Sequence, residues 1–317
     1  MGKDLVTVFG GSGFVGRHVV KRLAANGAAV RVAVRDPEAA MFLRPMGNVG
    51  RIELVQANIR DGASVASAVQ GAAAVVNLVG ILAERGRQRF NAVHAEGAAR
   101  VAQAAAMAGA RWLVHVSALG ADPAAPSRYG RSKASGEERV RAAFPDATIL
   151  RPGIVFGSED GFLNRFGELA RIKPFVLPVV AAATRVQPIY VGDVAAAVTA
   201  AVASDDARGR TFELGGPEVW TLREIAELVL RDTGRSRTVL PLPSWVAALA
   251  AAASAVLPLP RALHITFDQL RQLRVDNVAG PGAAGLSDLG VAATPLAAVL
   301  PGVLARFRIP DAPNQVK

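Results

Sequence analysis

Through the first 150 residues, short apolar runs alternate with stretches whose apolar residues recur at helical spacing. The runs Leu5–Phe9, Val30–Val34, Ile52–Gln56, Ala74–Leu78, Trp112–Val116 and Thr148–Leu150 predict strands. Between them, Phe14–Ala25, Ala63–Val69, Phe90–Ala108 and Arg128–Ala143 predict helices. Short apolar runs alternating with helical stretches are the pattern of a parallel sheet covered by helices on both faces, so the sequence predicts an α/β, doubly wound parallel sheet. Gly27, Gly71 and Gly109 stand where helices should stop, because glycine takes the left-handed C-terminal cap without a Cβ penalty.

After Arg151-Pro152 the pattern loosens. Proline-bearing segments from Ile172 to Pro178 and from Pro241 to Pro260 interrupt the alternation, as in a smaller lobe beyond the sheet. A helix at Val194–Ala203 and a strand at Thr211–Leu214 still read as α/β, and Leu222–Arg231 reads as an amphipathic helix with Thr221 as N-cap. The expected organisation is therefore a main α/β domain over 1–152 with returning segments near 188–216. Residues 153–187 and 217–317 would form a smaller, mainly helical C-terminal lobe.

The loop after the first strand reads Gly10-Gly11-Ser12-Gly13-Phe14-Val15-Gly16 and runs straight into the first helix. Glycines at 10, 13 and 16 permit a tight turn, close approach of backbone to a pyrophosphate, and close packing of helix on strand. The helix N-terminus adds unpaired N–H groups and partial positive charge for phosphate. Placed between strand and helix in a first βαβ unit, this loop makes the fold Rossmann-like and predicts a dinucleotide cofactor. The second strand ends in Val34-Arg35-Asp36. An arginine there can pair with a 2′-phosphate, so Arg35 favours NADPH (NADP+), while Asp36 leaves NAD(H) as the lesser choice.

The glycine spacing resembles the atypical or extended short-chain dehydrogenase/reductase superfamily. That resemblance implies an adenine contact at Asn58-Ile59 after the third strand, and a nicotinamide-ribose contact at Leu78-Val79-Gly80 after the fourth. It also implies a Tyr-x-x-x-Lys pair, Tyr129 and Lys133, and a passage out of the sixth strand at Pro152-Gly153. Residues four apart on a helix share a face, so the Lys133 ammonium should lower the Tyr129 phenol from its free value of about 10. The fifth strand ends Ser117-Ala118-Leu119-Gly120. Ser117 is a further cofactor-side candidate, but Leu119 stands where active relatives carry the hydroxyl that polarises a substrate oxygen. Leucine cannot donate to a developing oxyanion.

Three later segments resemble, more narrowly, the NADPH-binding accessory subunit family of respiratory complex I and its bacterial relatives. They are Gly161-Phe162-Leu163-Asn164-Arg165-Phe166, Gln187-Pro188-Ile189-Tyr190-Val191-Gly192-Asp193-Val194, and Asp268-Gln269 running on to Asp276-Asn277-Val278. The resemblance implies a nucleotide held as a structural ligand without turnover, complex I subunits as partners, and a peripheral place on the membrane. The competing reading is an active NADP-dependent reductase, epimerase or dehydratase that uses Tyr129 and Lys133, with Ser117 assisting.

Composition trims the alternatives. Hydrophobic residues make up 51 % of the 317, too many for a disordered chain, and no cysteine is present, which removes disulfides and thiol chemistry. Net charge is +10 (36 − 26), carried mainly by scattered arginines without a basic arm or interleaved aromatics. That argues against nucleic acid and leaves an anionic membrane or acidic neighbour as the attraction. His18, His94, His115 and His264 lack metal-ligand spacing, so no metal is expected. The first strand begins almost at Met1, so no signal or transit peptide is expected, which points to the cytoplasmic side of a bacterial inner membrane. The apolar segment Ser244–Leu259 is shorter than the roughly 20 residues that span a bilayer, and suits an interface or a buried helix.

Overall fold

The computed structural model describes residues 4–172, 175–243, 245–249, 252 and 265–309. Seven parallel strands form the principal sheet: β1 Leu5–Phe9, β2 Ala29–Val34, β3 Ile52–Gln56, β4 Ala74–Asn77, β5 Trp112–Val116, β6 Thr148–Pro152 and β11 Thr211–Leu214. Their order across the sheet is β3-β2-β1-β4-β5-β6-β11. Chain order reverses between β1 and β4, and the crevice beyond the carboxyl ends of such a pair is where doubly wound folds bind ligands. The six strands expected from the first half all form, with ends shifted by at most two residues. Parallel pairing buries both faces, which is why β1 and β4 are almost wholly apolar.

Helices α1 Phe14–Ala25, α2 Gly62–Val69, α3 Glu96–Met107, α4 Arg128–Ala143 and α6 Val191–Ala203 cover the sheet. One core layer joins Val75, Leu113 and Ile149 of the strands to Val65, Val101 and Val140 of the helices. Asp61 caps α2 by accepting from the Ala63 N–H (3.2 Å), and Ser127 caps α4 through the Gly130 N–H (3.0 Å). The stretch expected as one helix over Phe90–Ala108 begins instead with a π-helical turn, Asn91–Ala95, before α3. Glycines 27, 71 and 109 all take positive φ, between 70° and 88°, as helix stops should.

The chain divides into two compact units. The first comprises Met1–Pro152, Val191–Leu214 and Pro281–Ala292; the second comprises Gly153–Tyr190, Gly215–Gly280 and Ala293–Lys317. The second unit is built around helices α5 Leu163–Ile172, α7 Leu222–Asp232 and α9 Leu296–Leu304, whose Leu163, Ile225, Val229 and Leu300 share a core with Phe156 and Phe307. Thr221 caps α7 with a capping box completed by Glu224. Three two-stranded pairings, which the sequence pattern did not predict, complete the unit: β7 Val155–Phe156 with β10 Ile189–Tyr190, β8 Val176–Val180 with β13 Thr238–Leu242, and β9 Arg185–Val186 with β12 Trp220–Thr221. Pro178 and Pro241 lie within β8 and β13. A two-stranded ribbon tolerates proline where a central strand would not.

The segments singled out in this half have structural employment. Asp160 accepts from the N–H groups of Gly157 (2.9 Å), Phe162 (2.8 Å) and Asn164 (3.2 Å), fixing the entry to α5. The Gln187 carboxamide donates to the Gly216 carbonyl (2.7 Å) and accepts from the Ala279 N–H (3.0 Å). Asp276 takes the Arg185 guanidinium at 2.7 Å and its backbone N–H at 2.8 Å, while Gln269 completes a capping box with Thr266 on α8 Phe267–Gln272. Of the apolar segment 244–259, most lies outside the described residues. At its start, 245–249 are helical, with Trp245 and Leu249 exposed and Ala247 packed on Ile265 and Leu270.

Candidate functional site

The glycine loop is shaped by contacts that only glycine permits. Gly10 has φ +78°, and its N–H reaches the Ala33 carbonyl of β2 at 3.3 Å. A Cβ on Gly16 would lie 2.3 Å from the Gly10 oxygen and 2.6 Å from the Gly11 Cα, so α1 starts in direct backbone contact with the loop. Gly13 is the N-cap, and no side chain caps α1. The first-turn N–H groups, over Ser12, Phe14 and Val15, therefore lie open to an anion.

Arg35 follows β2 and is exposed; Asp36 is exposed too, but its carboxylate accepts from the Ala39 N–H (3.1 Å) and so closes its own turn. The Asn58 Oδ1 accepts from the Arg60 N–H (3.1 Å), and Ile59 is buried in the core layer, so this stretch presents mainly backbone and the Asn58 amide edge. Asn77, at the end of β4, is buried; its Oδ1 accepts from the Val79 N–H (3.2 Å) and its amide donates to His115 Nδ1 (3.2 Å). That pairing fixes the path of Leu78, Val79 and Gly80 past the carboxyl end of the sheet.

Helix α4 brings Tyr129 and Lys133 to the same end. The Lys133 Nζ donates to the Val116 carbonyl (3.2 Å), and a Cβ on Gly80 would come within 3.4 Å of it. Burial lowers Lys133 to about 8, against the opposing pull of Glu137 one turn on. Tyr129 does not behave as the sequence reading expected. Its ring lies edge-on to His94 (5.4 Å) and Phe90 (5.9 Å), and desolvation pushes the phenol up to about 12. Burial outweighs the neighbouring ammonium, whose Nζ is 6.0 Å from the ring centre. Ser117 Oγ, at 4 % exposure, has no hydrogen-bond partner among the described residues. Leu119 is buried with its N–H on the Pro152 carbonyl (2.9 Å), so no hydroxyl occupies its place. Pro152 ends β6, and Gly153 opens the second unit.

Two groups escaped sequence reasoning. His94, in the π-helical turn, accepts from the Ile81 N–H at Nε2 (3.0 Å) and donates through Nδ1 to Ser132 Oγ (2.9 Å), which donates on to the Tyr129 carbonyl (2.7 Å). Burial, then Lys133 and His115, hold His94 down at about 2, so it stays neutral. Helix α4 closes on it so tightly that a Cβ on Gly136 would lie 2.1 Å from the His94 oxygen. Glu137, 2 % exposed, receives a two-pronged contact from Arg151 at 2.9 and 2.7 Å. Its spacing of four from Lys133 was the available signal.

Comparison with known proteins agrees with this geometry. A family profile described as NAD(P)H-binding matches residues 10–170. The mitochondrial NADH dehydrogenase (ubiquinone) 1 alpha subcomplex subunit 9 of Mus musculus is 35 % identical over 309 residues, covering 96 % of this chain and 80 % of that protein. The chain belongs to that subunit's family. Subunit-9 relatives are not its sole kin: a ceramide reductase of Caulobacter vibrioides is 36 % identical over 198 residues, 62 % of this chain and 61 % of that protein. Among solved structures, an Escherichia coli NADPH-dependent quinone oxidoreductase complexed with NADPH superposes with a TM-score of 0.75 at 24 % identity, covering 95 % and 99 % of the two chains. At that identity it supports the fold alone, a Rossmann-like parallel sheet with flanking helices. Among the described residues no group of three or more His, Asp or Glu is placed to hold a metal, and no helix is long and apolar enough to cross a membrane.

Proposed function

We propose that this chain is an NADPH-binding accessory subunit of respiratory complex I, peripheral on the cytoplasmic face of a bacterial membrane, and that its nucleotide is a structural ligand. The observation that carries the reading is the pairing of a 35 % identical match to subunit 9 over 96 % of the chain with a buried leucine, Leu119, at the oxyanion-polarising place. In this reading the first-turn N–H groups of α1, with Gly10, Gly11, Ser12, Gly13, Phe14, Val15 and Gly16, take the pyrophosphate. Asn58 and Ile59 border the adenine, and Arg35 meets the 2′-phosphate. Leu78, Val79, Gly80, Pro152 and Gly153 line the nicotinamide end. Ser117 supplies its unpartnered buried hydroxyl there, and Lys133 with Tyr129 holds the ribose.

When bound, the nicotinamide supplies hydride chemistry, yet the residues around it are poorly set to move a proton. A phenol near 12 stays protonated at neutral pH and is a weak acid, and the buried Leu119 side chain offers no hydrogen bond at the oxyanion place. A ligand bound only by the folded state stabilises it by about 2.7 kcal/mol at a hundredfold excess over Kd, without turnover.

The reductase reading retains one supporting observation, the intact Tyr129–Lys133 pair beside a ceramide reductase relative. Two measurements separate the readings. A tagged chain should co-purify with respiratory membranes and complex I subunits, and its absence from them refutes the subunit reading. Purified chain loaded with NADPH should oxidise it with no physiological ketone or quinone over many turnovers; sustained turnover refutes the structural-ligand reading.

A further inference from the structure

We infer that His94 is the positioning residue for the nicotinamide half of the nucleotide: it ties residues 78–81 to helix α4 and so sets where that half can lie. The inference rests on the NADPH reading above and deepens it. Residues 78–81 leave the end of β4 with their amides pinned one after another. The Leu78 N–H donates to the Phe9 carbonyl (3.0 Å) and the Val79 N–H to Asn77 Oδ1 (3.2 Å). The Ile81 N–H donates to His94 Nε2 (3.0 Å), which makes His94 the far anchor of the segment. A Cβ on Gly80 would meet Lys133 Nζ at 3.4 Å and His94 Nε2 at 3.7 Å, so both head groups converge on the one residue between the anchors.

The imidazole is committed in a single tautomer. The Ser132 hydroxyl donates to the Tyr129 carbonyl (2.7 Å), so its oxygen accepts from His94 Nδ1–H (2.9 Å), and Nε2 is left as the acceptor for Ile81. Burial, then Lys133 and His115, keep the ring neutral, as that acceptor role requires. The ring is 1 % exposed and stacks on Phe90 at 5.5 Å. Packing alone would be served by a phenyl ring; the two nitrogens are what a buried amide and a helix-bound hydroxyl need. The π-helical turn Asn91–Ala95 is the local device that aims His94 inward, and such turns collect at functional sites.

Titration of the whole chain with NADPH and with adenosine 2′,5′-bisphosphate, which carries only the adenosine half, tests the inference in wild type, His94→Phe and His94→Gln. His94→Phe keeps an aromatic ring but can neither accept nor donate; it should weaken NADPH by about tenfold and leave the bisphosphate within about twofold. Hydrogen exchange at the Ile81 amide, read without nucleotide, should be faster in that variant than in wild type. His94→Gln offers an acceptor and a donor without the ring, and should recover most of the NADPH affinity and of the Ile81 protection. If His94→Phe does not fold, Ser132→Ala, which removes the acceptor that sets the tautomer, should show the same selective loss at a few-fold. Equal losses of both probes, a glutamine variant weaker than the phenylalanine one, or unchanged Ile81 exchange overturns the inference. If wild type binds neither probe, it is the NADPH reading that fails, and this inference falls with it.

Discussion

Glu137→Gln should destabilise the first unit more than any other single change near the site. Glu137 is almost fully buried, and Arg151 grips both its oxygens at 2.9 and 2.7 Å. Arg141 stands 3.7 Å away, and a third contact joins Arg151 to Glu213 at 3.2 Å. Removing one partner of a buried pair typically costs about 3 to 5 kcal/mol because the remaining charge is stranded. Here the Arg151 side chain keeps 26 % exposure and retains Glu213, so the loss should fall at the low end, about 3 kcal/mol. At about 2 to 4 °C per kcal/mol for a unit of this size, the unfolding midpoint should drop by roughly 6 to 12 °C. Thermal unfolding of Glu137→Gln, Arg151→Met and the double variant measures it. The double variant should be less destabilised than the sum of the singles by at least 1 kcal/mol, about the lower range of coupling for contacting pairs. A midpoint shift under about 2 °C, or strict additivity, would refute the argument that the pair holds α4 to β6.

Further outcomes follow from the same geometry. Gly16→Ala, whose new methyl would sit 2.3 Å from the Gly10 oxygen, should lower stability by about 1 to 3 kcal/mol and abolish nucleotide binding; near-wild-type titration curves would contradict the close-contact account. Arg35→Ala should weaken NADPH far more than NADH, and equal losses would sink the 2′-phosphate role of Arg35. Lys133, lowered to about 8 in the fold from 10.5, binds its proton less tightly there than in the unfolded chain, so wild type gains stability as pH rises from 8 to 10.5. Against Lys133→Met, that gain should appear as a gap narrowing across the window, and a parallel pair of pH profiles would contradict it. His94 and His115, held down at about 2 and 3 chiefly by burial, give stability that is present above pH 6.5 and lost as pH falls below it. His115→Leu should flatten acid unfolding between pH 6.5 and 4.

The sheet was legible because its strands are short, mainly apolar runs with turn signals at their ends. Leu5–Phe9, Ile52–Gln56, Trp112–Val116 and Thr211–Leu214 form over the residues the pattern marks. The glycine loop was legible for a related reason: backbone contact leaves no choice of residue at 10 and 16. What the pattern missed depends on partners distant in sequence. The strands β8 and β13 carry prolines and pair across some sixty residues, so no local period announces them. The π-helical turn at Asn91–Ala95 looks like ordinary helix until Gly136 of α4 presses against it. The Tyr129 phenol was misjudged because helical spacing reports which charge is near and not how much water is gone.

Arg151 lies on β6, whose outer neighbour, β11, comes from residues 211–214. During synthesis the first six strands leave the ribosome in turn, and the strand that pairs with β6 follows about sixty residues after it. At about 5 to 20 residues per second, the N–H and C=O groups along one side of β6 wait roughly 3 to 12 s for their cover. An open strand edge is a template for pairing with another chain. The nascent chain therefore passes through an interval in which a nearly finished nucleotide-binding sheet carries a sticky border, and a stalled or truncated product ending before Thr211 would keep that border for good.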